Sequence, residues 1–236
     1  MIVRCHKELF EKFPTASIHG VVFDGVRNFK AETAEVWKEE ALRSVRDSGI
    51  KPELLVESAP IKEWRNTFQR FGVKPSKYRS SIEQLYRRAL KGEIIQTKLS
   101  LVNIYCYISI IQMVPMGGYD LEKIQGDIAV RLTTQGDEFI AIGEHQPMSC
   151  DAGVVVYSDD EGVICWAWNH RDASRTSLDA ETRKAIFFAD SASHDGRDRA
   201  ALAIDLLANA LLSGGGTLVS SFVLEENANQ TTFELE

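Results

Sequence analysis

The chain lacks most of the signatures that would commit it to a common chemistry. Its four cysteines (Cys5, Cys106, Cys150, Cys165) form no Cys-x-x-Cys pair, which argues against a zinc site or a disulfide framework and leaves ordinary thiols. No serine lies in a Gly-x-Ser-x-Gly elbow and no His/Glu pair has metal-ligand spacing. Standard hydrolase and metalloenzyme readings therefore gain no support, and neither a cofactor nor a metal is expected. No apolar run approaches the roughly 18 residues that span a bilayer. The opening Met-Ile-Val-Arg-Cys-His-Lys-Glu has no secretory apolar core, and no internal repeat occurs, so the expectation is a cytoplasmic protein with no membrane partner.

Hydrophobic residues make up 44% of 236, enough for a substantial core. The net charge of −7 disfavours a polyanionic partner on average, but the charge is uneven. Between Lys62 and Lys91 nine basic residues (Lys62, Arg65, Arg70, Lys74, Lys77, Arg79, Arg87, Arg88, Lys91) face only Glu63 and Glu83. A basic face on an acidic chain grips nucleic-acid phosphate, although a solvated helix face explains the same charges.

Periodicity predicts a strand at 18–23, an amphipathic helix at about 32–47, and a second helix from Pro60 that repeats Ile61, Trp64, Phe68 and Phe71. Its aromatics read as core rather than as a platform for bases. Residues 72–80 read as a loop leading into a helix marked by a Ser80/Glu83 capping box. The loop's Lys74, Lys77 and Arg79 then lie near a helix N-terminus, an arrangement that suits an anion. Leu101 to Met113 reads as a buried helix ending at Pro115-Met-Gly-Gly-Tyr-Asp120, whose paired glycines permit close approach or positive φ. Strand-like pieces follow at 127–132, 138–142, 153–158, 162–168 and 185–189, with Asp159-Asp-Glu-Gly162 as a hairpin turn. A helix after Asp195, a strand at 217–224 and a polar tail complete an α+β pattern.

Three polar segments, 72–80, 115–120 and 168–176, lie at the ends of regular elements, where functional residues collect. The last follows a strand apolar on both faces and so expected to be central. It contains Asn169, His170, Arg171, Asp172, Ser174, Arg175 and Thr176. An extended chain there would put His170 and Asp172 on one side and Asn169 and Arg171 on the other. The arginines suit a carboxylate or phosphate, and His170 is a candidate general base. The alternative is structural: Ser174 or Asp172 caps a turn, and Ser177 or Asp179 starts a short helix.

In this order, Phe71-Gly-Val-Lys-Pro-Ser-Lys-Tyr-Arg-Ser80, Pro115-Met-Gly-Gly-Tyr-Asp-Leu-Glu-Lys-Ile-Gln-Gly126 and Val156 to Thr176 resemble the B3/4 domain. That module is inserted in the β subunit of bacterial phenylalanyl-tRNA synthetase and also occurs as a free-standing protein. The likeness runs from about 55 to 192, with nothing resembling the synthetase's catalytic core. It implies a B3/4-like domain over 1–212, sheet-rich at the centre and flanked by helices, with a C-terminal strand and tail over 213–236.

The resemblance implies a trans-editing aminoacyl-tRNA deacylase, with tyrosine on phenylalanine tRNA as default substrate and the tRNA acceptor end as partner. The alternative is a non-catalytic tRNA- or amino-acid-binding module. Carried onto this chain, Asn169, His170 and Arg171 become catalytic candidates. Gly117, Gly118, Tyr119, Asp172, Ser174, Arg175 and Asp190 become substrate-binding candidates, with Asp190 near the position of the acid that reads a tyrosine hydroxyl. Lys74, Lys77, Tyr78, Arg79, Arg87 and Arg88 would hold tRNA. The chain departs from the synthetase module in two places. Gly117-Gly118-Tyr119-Asp120 replaces a histidine-bearing segment, and Ala167 to Asp172 is bulkier and more polar than the synthetase's glycine-rich loop.

Overall fold

The computed structural model describes residues 1–29 and 31–234. In chain order, β1 (Ile2–Cys5), α1 (Lys7–Lys12) and β2 (Ser17–Asp24) are followed by α2 (Ala31–Asp47), α3 (Ala59–Arg70), α4 (Ser81–Ala89) and α5 (Ser100–Gln112). Then come β3 (Met116–Asp120), β4 (Ile128–Leu132), β5 (Glu138–Phe139), β6 (Met148–Ser149), β7 (Val155–Ser158), β8 (Val163–Trp166), β9 (Arg171–Asp172) and β10 (Ala185–Ser191). The chain closes with α6 (His194–Ser213), β11 (Thr217–Leu224) and β12 (Gln230–Thr232). The architecture is α+β.

Two sheets carry the fold. One has six strands in the order β12-β1-β4-β7-β8-β9, the other four in the order β11-β2-β10-β3. β5 and β6 form a separate hairpin. β2 and β10 lie at the centre of their sheet with α6 packed on them, and they are buried along almost their whole length. α5 is apolar nearly all round, and α2, α4, α6 and β3 cover it. Burial on all sides is what such a helix requires.

Most helices fall where periodicity places them, and four expectations need correction. Residues 116–120 form a strand where none is expected: Gly117 and Gly118 sit inside β3 with no positive φ, and of the two uses open to them close approach holds, at Gly118 against the Phe187 ring. β8 is not central, since only the two-residue β9 separates it from the sheet edge. No helix begins at Ser177; instead Asp179 closes a turn by accepting from the Glu181 N–H at 2.7 Å. The stretch after β11 is not simply a polar tail. β12 returns to pair with β1, Ile2 facing Thr232, while residues 235 and 236 of that expected tail lie outside the described residues.

The capping box is half formed. Ser80 Oγ accepts from the Glu83 N–H at 3.4 Å, but the Glu83 side chain does not reach back. It is fully buried and takes hydrogen bonds from Arg65 at 2.9 and 3.1 Å and from Arg87 at 3.0 and 2.9 Å, with Arg79 at 3.6 Å. One carboxylate thus ties α3 to α4, and three members of the basic block serve the fold. Among the described residues no helix is long and apolar enough to cross a membrane.

Candidate functional site

The two sheets meet over a small cavity of about 50 Å³. β3 and β10 supply Met116, Gly117, Tyr119, Phe188 and Asp190 from one side. β7, β8 and β9 supply Tyr157, Cys165, Arg171 and Asp172 from the other, and Trp168, Asn169, His170 and Ser81 close the top.

The top exists because the chain between β8 and β9 reverses within four residues rather than running extended. Ala167 and Trp168 take φ of 53° and 63°, a left-handed conformation that costs an L-residue about 1–2 kcal/mol. Surrounding contacts hold it there. The Trp168 N–H donates to Val155 O at 2.6 Å and the His170 N–H to Trp166 O at 3.2 Å. The Trp168 indole, fully buried, packs edge-on to Phe13 and Trp64 at 5.2 and 5.3 Å. Asn169 O accepts from the Ser81 N–H at 2.9 Å, docking the start of α4 on the turn.

Below the turn lie two carboxylates, each held by a phenol. Tyr157 donates to Asp190 and Tyr119 donates to Asp172 at 3.0 Å. Burial pushes both phenols well above the usual tyrosine range, so they remain donors. Burial also raises both acids. Asp190, only 4% exposed, is brought up to about 7, its rise limited by Tyr157 and sharpened by the like charge of Asp172. Asp172, half-buried, is raised by the same desolvation, limited by Cys165 and Tyr119. A carboxyl group near neutrality in a concave polar site is suited to proton transfer.

The Asn169 side chain is 7% exposed, yet neither end of its amide has a hydrogen-bond partner. The Trp168 Nε1 donor is likewise unpartnered. Both groups lie close enough to Asp190 to favour its charge without completing a hydrogen bond of normal geometry. Buried polar groups are nearly always satisfied, so these exceptions mark a place prepared for something else.

Of the residues selected from sequence, the cavity brings together Asn169, His170, Arg171, Gly117, Tyr119, Asp172 and Asp190. His170 is committed to packing: its Nδ1–H donates to Arg79 O at 2.6 Å, and burial lowers its pKa. The Arg171 guanidinium turns outward to Ile142 O at 3.0 Å and Glu144 at 3.2 Å. Ser174 and Arg175 lie elsewhere, lining a separate groove beside Phe139. There Ser174 donates to Ala141 O at 2.9 Å, and Arg175 forks onto buried Asp159, 2.8 Å from one oxygen.

Gly118 is also outside the cavity, because successive strand residues face opposite ways. A Cβ there would meet the Phe187 ring at 2.6 Å, whereas at Gly117 it would lie 3.6 Å from the Tyr119 hydroxyl. Gly118→Ala is therefore expected to cost about 1–3 kcal/mol of stability. Gly117→Ala should leave the thermal midpoint nearly unchanged. Equal midpoint shifts in the two variants would contradict this wall.

Beside the cavity mouth, Lys77 lies over the Tyr78 ring at 4.8 Å, and Tyr78 packs against Trp166 and His170 at 4.8 and 5.4 Å. Lys74 lines a shallow groove with Arg65, Gln69 and Pro75. Arg88 is exposed, while Arg79 and Arg87 are drawn to Glu83.

Reading the sequence missed Tyr157, Trp168, Ser81, Cys165 and the carboxylate role of Glu83. Tyr157 and Trp168 sat inside a segment already singled out, but nothing local marked them as wall residues. Among the described residues no group of three or more His, Cys, Asp or Glu could hold a metal ion.

The B3/4 domain, as a family, matches residues 63–203, a range that includes every residue of the cavity. No curated protein matches the sequence. Among solved structures the chain is similar to an N-terminal fragment of the phenylalanyl-tRNA synthetase beta-subunit from Pyrococcus horikoshii, at 13% identity and a TM-score of 0.47. The match covers 92% of this chain and 49% of that one, so the chain spans about half the fragment's length.

Proposed function

The chain belongs to the B3/4 domain family, and from that premise we propose that it is an aminoacyl-tRNA deacylase of the trans-editing type. The reaction is hydrolysis of the ester between an amino acid and the terminal ribose of tRNA. The observation that carries this reading is Asp190, buried with a pKa of about 7 beside the unpartnered Asn169 amide.

An aminoacyl ester is already activated, so positioning supplies much of the rate, about 7–11 kcal/mol in favourable intramolecular cases. The cavity is large enough for water, which occupies about 30 Å³ in the liquid. It is far smaller than a pocket for a whole ligand, so it receives the reacting end of the substrate. In the proposed step Asp190 takes a proton as the water oxygen bonds to the carbonyl carbon. The Asn169 amide donates to the oxyanion, a contact contributing on the order of 3 kcal/mol. The ester C–O bond then breaks, and the ribose oxygen leaves with the proton from Asp190.

Tyrosine as the amino acid removed is the default that the resemblance implies. Tyr157 already donates to Asp190, so a substrate phenol would have to share or displace that contact. Two of the catalytic candidates are engaged elsewhere, His170 with Arg79 O and Arg171 with Glu144, which favours a second reading, a non-catalytic tRNA- or amino-acid-binding module. A panel of correctly and incorrectly charged tRNAs, including tyrosyl-tRNA(Phe), separates the two. Ester loss that Asn169→Ala reduces at least 100-fold supports the deacylase; saturable binding without turnover supports the module.

Lys74 and Lys77 are the better candidates for tRNA phosphate, because Arg79 and Arg87 have an internal partner. Replacing both lysines with alanine should weaken tRNA binding and lower the slope of log K against log salt by about 1.5. A slope equal to that of the unaltered protein would remove them from the tRNA surface.

A further inference from the structure

Among the described residues, buried and half-buried carboxylates follow a rule with one local exception. Glu83 has Arg65 at 2.9 Å, Asp120 has Lys123 at 3.4 Å, Asp137 has Arg131 at 2.7 Å, and Asp159 has Arg175 at 2.5 Å. Buried charges are kept only when they are paired. Among the described residues, neither Asp190 nor its neighbour Asp172 has a lysine or arginine partner. The one cation at the cavity, Arg171, directs its guanidinium outward to Glu144. Two acids in one cavity repel each other when both ionise. A cation placed beside them would favour the ionised form of both.

Unpartnered polar atoms in the same cavity indicate its shape. The Asn169 amide, 7% exposed, has neither end satisfied, and Ser81 Oγ is unpartnered as well. Ser81 and Asn169 are joined through their backbones at 2.9 Å, which holds the two residues side by side. An alkylammonium group has three N–H donors and no acceptor. The Asp172 carboxylate, at one side of the cavity, and Asn169 Oδ1 and Ser81 Oγ, at its top, provide three acceptors around it. In an aminoacyl ester the ammonium and the carbonyl oxygen are neighbours across a single Cα–C bond, and one primary amide presents an acceptor and a donor side by side. Asn169 can thus accept from the ammonium and donate to the carbonyl oxygen.

We propose that Asp172, Asn169 and Ser81 form a seat for the α-ammonium group, so that the cavity takes esters of free amino acids and rejects N-blocked ones. The proposal rests on the reading that this cavity holds the aminoacyl end. It makes the free amino group, rather than the side chain, the first feature the site selects.

Binding without turnover tests it. Alaninamide, N-acetylalaninamide and lactamide share a carboxamide and a methyl group, but only alaninamide carries an ammonium group. Ligand-observed NMR titration of the full chain should show saturable binding of alaninamide. Lactamide and the acetylated amide should bind at least about 30-fold more weakly, as expected from the loss of charged hydrogen bonds. Asp172→Asn should abolish that preference. Ser81→Ala removes a hydroxyl that has no hydrogen bond in the fold. It should weaken alaninamide several-fold with an unchanged thermal midpoint, which keeps the test valid if Asp172→Asn folds poorly. Equal binding of lactamide, no saturation by alaninamide, or unaltered affinity in Ser81→Ala would overturn the seat. Hydrolysis is read separately, with aminoacyl-tRNA and N-acetyl-aminoacyl-tRNA as paired substrates. An amine preference without ester loss leaves the seat standing and removes the deacylase; ester loss with no preference for a free amine does the reverse.

Discussion

Asp190→Asn is expected to slow ester hydrolysis by about 10² to 10⁴-fold, the usual contribution of a positioned general base. Asparagine keeps the size of the group and can still accept from Tyr157, so the loss reports the base and not the fold. In the unaltered protein the rate should rise with pH, turn over near 7, and plateau above it. That is the titration expected of a carboxyl group brought to about 7 by burial. The variant should be flat across the same window.

The same residue sets a stability signature. The folded pKa of Asp190, about 7, lies above the reference value of 3.8, so the native state binds this proton more tightly than the unfolded chain. The stability that this proton contributes is complete below about pH 4 and is lost as pH rises through 7. Between pH 5 and pH 8 the loss is about 2.5 kcal/mol, and the raised pKa of Asp172 adds in the same direction. Urea unfolding of Asp190→Asn should therefore show a shallower decline over that interval, leaving the variant relatively more stable at pH 8. Parallel pH curves for the two proteins would mean that Asp190 does not titrate in this window.

Glu83→Gln should have the largest effect on stability. The carboxylate is fully buried and holds Arg65 and Arg87, with Arg79 nearby. Removing one partner of a buried charge cluster costs about 3–5 kcal/mol. The guanidiniums left behind are 25% to 44% exposed, and water relieves part of their loss, so about 2–4 kcal/mol is expected. The urea midpoint should fall by roughly 1 M. Because α4 begins at the cavity roof, the ester-hydrolysis rate should fall as well. A midpoint shift under about 0.3 M would show that the arginines find equivalent solvation without the carboxylate.

The legible and illegible parts of this protein differ in the range of the interactions that define them. α3, α4 and α5 could be read because their apolar spacing is local, and so could the turn at Asp159 to Gly162. β1 and β12 could not, since Ile2 finds its partner at Thr232 and each strand is too short to carry a period. The turn at Ala167 to His170 was hidden for another reason. Positive φ is a glycine or asparagine habit, and here alanine and tryptophan adopt it, held by the burial of one indole ring.

The site shows the same division. Asn169 and Asp172 were selected because polar residues stood out at a strand end, and Asp190 only through the resemblance to the B3/4 domain; the cavity gathers all three. Ser174 and Arg175, equally polar, face a different groove, because the tight turn changes which residues point inward. The phenols that hold the two acids are 33 and 53 positions away from them in sequence. Glu83 looked like a capping residue, and only the packing of α3 on α4 reveals it as the counter-charge of a basic block.

The most direct test of the account is where the aminoacyl end binds. The probe is a non-hydrolysable amide-linked 3′-aminoacyl adenosine titrated into the isotopically labelled protein. The Trp168 indole N–H and the Asn169 side-chain amide are unpartnered donors in the cavity, so their resonances should report a ligand there more strongly than any others. The account predicts saturable shifts of these two signals, with smaller ones at Tyr157 and Ser81. Saturable shifts confined to the groove beside Phe139 and Arg175, with Trp168 and Asn169 unmoved, would contradict it.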